Sequence, residues 1–327
     1  MKAMQVLFID TVHPLLREEL EKKQYRCDDG TRLSRSAVLT KIKNYKGVVL
    51  RSKFIVDAEF LDAAENLTFI ARSGSGLENV DVEYAQKRGV KVFNSPEGNC
   101  TAVAEHAIGL LMMLLNKLRT AHDEVARGIW RREENRGLEL ENRTVGIIGY
   151  GHTGAALAKR LTPFGCKIVA YDPFIDAASF DLAQDVDLET LCREADVVSF
   201  HVPLTDETQY MCNAAFIEKM QKPFFVLNTS RGKVLRTADL VDGLKSGKVL
   251  GAGLDVLEYE KLSFEKLFEG EKPEAFTYLL EAENVLLSPH IAGWTFESHE
   301  KLAQVIVDKI KFIYFPTKEK AEQQRVT

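Results

Sequence analysis

A chain of 327 residues, 45% apolar and 28% charged, has the composition of a globular protein and enough length for two separate cores. Its formal net charge of -5 leaves no basic footprint for a nucleic acid, and its longest uninterrupted apolar run, residues 107–115, is far short of a bilayer span. The N-terminus enters a strand pattern directly, so no signal peptide is expected, and the cysteines Cys27, Cys100, Cys166, Cys192 and Cys212 show no CxxC spacing. Reduced cytosolic thiols are therefore expected, in a cytoplasmic protein with no metal site, no nucleic-acid partner and no membrane association.

Residues 4–95 alternate between two periodicities. Strands are expected at 6–10, 47–50, 68–71 and 90–94, with helices at 15–23, 58–64 and 82–88 between them. Such alternation implies a parallel sheet covered on both faces, and so a small α/β domain of its own. From Ala104 to Leu118 apolar residues fall on one helical face, with Asn99 or Thr101 as N-cap, and the charged stretch 123–142 reads as a surface excursion.

The segment 144–172 carries the most information. An apolar β-branched run, 145–148, leads into Gly149, Gly151 and Gly154 in GxGxxG spacing, and helical periodicity follows. Three glycines serve three needs: a tight turn, close approach of backbone to a pyrophosphate, and close packing of helix on strand. The next strand, 167–171, ends in Asp172, a carboxylate placed to accept from the adenosine ribose hydroxyls and to repel a 2′-phosphate. NAD is therefore expected rather than NADP. With strands at 197–201, 224–228, 250–255 and 285–287, six strands complete a doubly wound Rossmann sheet, with helices near 188–193, 215–220 and 237–246. The acidic stretch 260–283 is irregular. An amphipathic helix at 299–314 cannot extend that sheet and is expected to pack on the first domain, ahead of a polar tail. The expected architecture is α/β with two domains. A Rossmann domain (101–294) is inserted into a smaller flavodoxin-like α/β substrate domain (1–100 plus 295–327).

Ligands of an open parallel sheet bind at the carboxyl ends of its strands. Those ends hold His201 with Val202 and Pro203, the run NTSRG up to Gly232, GLDVLEYE up to Glu260, and SPHIAGW with His290. An arginine, a carboxylate and a histidine beside a nucleotide are the parts that hydride transfer to a 2-oxo acid requires. Of the other histidines, His201 reads as a packing residue. His13, His106, His122 and His299 have no chemistry-bearing neighbours in sequence.

Taken in order, VLRSKFIVDAEFLDAAENLTFIARSGSGLENVDV, VFNSPEGNCTAVAEHAIGLLMMLL, GYGHTG, YDP, HVPLTDET, NTSRG, GAGLDV and SPHIAGWT give the chain its resemblance to a family. It resembles the D-isomer-specific 2-hydroxyacid dehydrogenases, of the branch that includes D-3-phosphoglycerate dehydrogenase. The resemblance implies Arg231 as anchor of the substrate carboxylate, His290 as acid/base and Glu260 as its partner. Ser75 and Gly76 would give backbone N–H groups to the substrate. Asp255 would face the nicotinamide, while Val202, Pro203, Thr229, Ser230 and Gly293 would line the cofactor. His152 and Thr153 stand where relatives commonly carry Arg and Ile, which leaves the backbone cradle intact but alters a side-chain contact to phosphate.

Arg51 and Arg72 match branch arginines that suit a phosphate, which favours 3-phosphohydroxypyruvate as substrate. Glyoxylate, hydroxypyruvate and lactate stay open, because the chain lacks the C-terminal extension of many phosphoglycerate enzymes. A homodimer formed through the cofactor domain is implied as well. The reading from another class is an NAD-sensing protein resembling transcriptional co-repressors.

Overall fold

The computed structural model describes residues 4–260 and 272–315; residues 261–271 of the acidic stretch and the polar tail lie outside these. The chain forms two compact units, one built from residues up to Asn99 together with those from Thr295 on, the other from Cys100–Trp294.

The first unit contains β1 (Gln5–Phe8), α1 (Pro14–Lys22), β2 (Arg26–Asp29), α2 (Arg35–Lys41), β3 (Gly47–Leu50), α3 (Ala58–Ala63), β4 (Phe69–Arg72), α4 (Val82–Lys87) and β5 (Lys91–Phe93). Its sheet is wholly parallel, in the flavodoxin-like order β2-β1-β3-β4-β5. Alternate residues serve opposite faces: Leu7, Val48, Leu50 and Ile70 join one core cluster, and Val6, Phe8, Val49, Phe69 and Ala71 the other. Ser34, Asp57 and Asp81 cap the helices that follow them. The second cluster is closed by the C-terminal helix Phe296–Tyr314, through Ala303, Ile306, Val307 and Ile310. Thr295 and Ser298 start that helix with a reciprocal capping box. Two elements escaped the sequence reading. The strand β2, RCDD, is a polar edge strand without an apolar run, and α2 is short, with Val38 as its one buried residue.

The second unit begins in α5 (Pro96–Leu115), whose first turns contain the division between the units. It continues with α6 (Leu118–Ala126), β6 (Thr144–Ile148), α7 (His152–Leu161), β7 (Lys167–Tyr171), β8 (Gln184–Asp185), α8 (Leu188–Glu194), β9 (Val197–Phe200), α9 (Ala214–Lys219), β10 (Phe224–Asn228), α10 (Thr237–Lys245), β11 (Val249–Leu254), α11 (Glu274–Glu281) and β12 (Val285–Leu287). The parallel sheet runs β12-β11-β10-β9-β6-β7-β8, seven strands where six were expected, since β8 is a two-residue polar edge pairing. Strand order reverses between β6 and β9, the place where such sheets open a crevice for a ligand.

Helix α5 starts at Pro96, earlier than expected. Proline suits a first helical turn, so Asn99 and Thr101 lie inside the helix instead of capping it. Of the described residues, only α5 forms a helix long and apolar enough to cross a bilayer. Its Ala104, Ala107, Leu110, Leu111, Leu114 and Leu115 are buried in the core with Val145, Ile147 and Leu157. The excursion after it holds a helix, α6, none of whose residues is buried.

Candidate active site

The turn from β6 into α7 fits a dinucleotide on physical grounds. Gly149 sits at φ +91°, and a Cβ there would lie 2.7 Å from the His201 carbonyl oxygen, while one on Gly154 would lie 2.1 Å from the carbonyl of Gly149. Gly151 differs, because a Cβ there would meet nothing within 4 Å: the space over it is open. No side chain caps the N-terminus of α7, and the start of a helix is in general a favourable place for an anion. The backbone of the exposed His152 and the half-buried Thr153 belongs to that terminus.

Asp172 accepts from the Tyr150 amide at 2.8 Å through one oxygen and from the Phe174 amide at 3.0 Å through the other. It thereby braces the glycine turn, and each oxygen keeps a second acceptor direction for a hydroxyl. Val202 abuts Gly149, and the buried Thr229 Oγ1 has no hydrogen-bond partner. Pro203 is exposed, and Gly293 is half-buried. His201 bonds Ser199 Oγ through Nε2 at 2.8 Å, and burial pushes its imidazole down to about 4, so it is neutral near pH 7 and unsuited to proton transfer there.

Three loops at the carboxyl edge of β10, β11 and β12 hold the chemistry. After β10, Asn228 organises NTSRG: its Oδ1 accepts from the Ser230 amide and hydroxyl, and its Nδ2 donates to the Arg231 carbonyl at 2.9 Å. The Arg231 guanidinium donates to the Ser230 carbonyl at 2.7 Å. Gly232 must be glycine, because a Cβ would lie 1.9 Å from the Leu257 carbonyl oxygen. That approach presses the Arg231 loop against the loop after β11. There Glu260 folds back, one oxygen accepting from the Leu257 amide and the other lying 2.7 Å from His290 Nδ1. Thr237 donates its amide to Glu258, which separates the roles of the two neighbouring acids.

His290 itself is held at φ +55°, a left-handed conformation that non-glycine residues seldom adopt. Three successive amides secure it: His290 N donates to the Asp255 carbonyl at 2.7 Å, Ile291 N to Oδ1 at 2.9 Å and Ala292 N to Oδ2 at 2.8 Å. Asp255 is 1% exposed, and its carboxylate accepts from the Ser288 hydroxyl as well as from the amides of Ile291 and Ala292, so it shapes the His290 loop. Sequence reasoning also left His106 without neighbours. Its Nε2 lies 2.9 Å from Ser288 Oγ, a pairing across 182 residues that no local pattern signals.

The carboxyl edge of the first unit carries a different set. Asp10, overlooked in the sequence, accepts through Oδ2 from the amides of Arg51, Ser52 and Lys53, which fixes the turn bearing Arg51. Arg72 is 9% exposed and lies across Gly74, where a Cβ would be 1.7 Å from its Nη1. Ser75 and Gly76 follow, braced by Ser75 Oγ on Asn99 and by Asn94 on the Ser75 carbonyl; no described residue accepts from their amides. His13 and His299 meet ring edge to face at 5.3 Å, and burial, then the charges of His13 and Arg51, push His299 below its ordinary value. Among the described residues no group of three or more His, Cys, Asp or Glu is placed to hold a metal ion.

Residues 108–292 match the family model of the D-isomer specific 2-hydroxyacid dehydrogenase NAD binding domain. A D-3-phosphoglycerate dehydrogenase from Archaeoglobus fulgidus is 35% identical over 309 residues, covering 94% of this chain but 56% of that protein. The chain thus spans little more than half the length of that relative. A hydroxypyruvate reductase from Thermotoga maritima is 38% identical over 263 residues, covering 80% of this chain and 83% of its own. The structure of a D-lactate dehydrogenase from Aquifex aeolicus, complexed with NAD and lactic acid, superposes with a TM-score of 0.80 at 27% identity, covering 99% of this chain and 98% of that one. The second unit is accordingly an NAD-binding domain, and the chain belongs to the D-isomer specific 2-hydroxyacid dehydrogenase family.

Proposed function

We propose that the protein is an NAD-dependent dehydrogenase that interconverts a D-2-hydroxy acid and its 2-oxo acid, with 3-phosphoglycerate and 3-phosphohydroxypyruvate as the substrate pair. The observation that carries this reading is the 2.7 Å hydrogen bond between Glu260 and His290 at the carboxyl edge of the NAD-binding sheet. When bound, the nicotinamide supplies or accepts a hydride at C2. Arg231 grips the substrate carboxylate in a bidentate fork. His290 exchanges a proton with the C2 oxygen through Nε2, since Nδ1 is engaged by Glu260, and the carboxylate balances the charge on the ring when it holds both protons.

Arg51 and Arg72 are assigned to the phosphate, a dianion suited to two guanidiniums. The relatives named D-3-phosphoglycerate dehydrogenase support that choice, and the one named hydroxypyruvate reductase supplies the competing substrate. Oxidation of NADH, followed by its near-ultraviolet absorbance with 3-phosphohydroxypyruvate, hydroxypyruvate, glyoxylate and pyruvate, tests both levels. A higher kcat/KM for the phosphorylated acid supports the assignment; turnover of none of them favours the NAD-sensing, co-repressor-like reading. Two copies are proposed to pair through the second unit, where Leu118, Val125 and Trp130 are half or more exposed.

A further inference from the structure

Between α5 and the loop after β12 lies a chain of polar groups that the proposed chemistry does not use. Ser288 Oγ is 2.6 Å from Asp255 Oδ1, and His106 Nε2 is 2.9 Å from that same hydroxyl and 3.6 Å from the carboxylate. An ionised carboxylate only accepts, so the serine proton lies on the Asp255 line and His106 Nε2 must be the donor to Ser288. Asp255 is the residue that takes the amides of His290, Ile291 and Ala292 and holds His290 in its left-handed conformation. A buried carboxylate keeps such an arrangement only while its oxygens are fully satisfied.

We propose that His106 is a positioning residue for His290: its Nε2–H, acting through the Ser288 hydroxyl, holds the Asp255 carboxylate in the orientation that grips the amides of Ile291 and Ala292, directly after His290. The helix that packs on the NAD-binding sheet thereby sets where the proton-transfer imidazole stands. His106 touches neither substrate nor cofactor in this role. The inference rests on the reading of His290 as the proton-transfer group, but its mechanical part can be observed without turnover.

Amide hydrogen exchange at Ile291 and Ala292, followed by NMR in the full chain, tests it with His106→Phe, His106→Gln and Ser288→Ala. Exchange about tenfold faster is expected in His106→Phe and Ser288→Ala, the size of effect of one buried hydrogen bond, with near-wild-type exchange in His106→Gln, which keeps a donor. With a substrate in hand, kcat should fall in the first two variants while KM for NADH holds. Unchanged exchange in Ser288→Ala overturns the proposal, as does His106→Gln behaving like His106→Phe; should His106→Phe fail to fold, Ser288→Ala cuts the same link. A wild-type chain that reduces no 2-oxo acid would sink the catalytic reading alone and leave the exchange result to decide this one.

Discussion

Glu260 Oε2 and His290 Nδ1 stand 2.7 Å apart, joined across two loops that leave neighbouring strands. The pairing holds the imidazole by one nitrogen and dedicates the other to proton transfer. His290→Ala should lower kcat roughly 100- to 10,000-fold, the usual worth of a general acid, with NADH affinity unchanged. Glu260→Gln keeps the shape but not the charge and should cost less than that. Steady-state kinetics of both variants decide: a His290→Ala enzyme with normal turnover would remove His290 from the mechanism.

Arg231 is assigned to the substrate carboxylate, where a planar fork matters more than the charge alone. Arg231→Lys should raise KM for the oxo acid about tenfold or more and leave NADH binding, read by fluorescence titration, unaltered. Equal KM values for both proteins would refute the assignment.

The glycines of the turn make separable predictions. Gly154→Ala forces a methyl to 2.1 Å from the Gly149 carbonyl and should destabilise the fold by about 1–3 kcal/mol in urea unfolding. Gly151→Ala meets no protein atom within 4 Å, so its stability should hold while NADH affinity drops. A Gly151→Ala protein that binds NADH normally would move the pyrophosphate away from this turn.

His201 links stability to pH. Burial lowers its folded value to about 4 from an unfolded value of 6.5, so the unfolded chain binds more protons between those limits. Its contribution, on the order of 3 kcal/mol, is complete above the unfolded value and is lost as pH falls towards about 4. The difference in unfolding free energy between wild type and His201→Asn should therefore shrink from neutral to acid pH. A constant difference would show that the ring is not protected as its burial implies.

Pairing of two copies through the second unit is open to a direct test. Leu118 and Val125 are 50% and 54% exposed on a helix with no buried residue. Leu118→Glu with Val125→Glu should shift sedimentation from dimer to monomer with secondary structure preserved. A wild-type chain that sediments as a monomer would exclude the dimer.

Local chemistry in the sequence determined much of the fold. Strands β3, β7, β10 and β12 have the bounds expected from their apolar runs, because strands buried on both faces are continuous apolar segments. The glycine turn and its acid were legible for the same reason: the backbone conformations they require depend on residues next to one another. Tertiary structure decided the rest. The edge strands β2 and β8 are polar and become strands only by pairing with a neighbour already in place, and α6 carries too few apolar residues to declare itself. The motif around Asp255 names the residue but not its partners; the fold brings its carboxylate onto the amides of Ile291 and Ala292, beside His290. His106 and Ser288 gain their meaning only from contact, since a hydrogen bond depends on distance in space and periodicity records only distance along the chain.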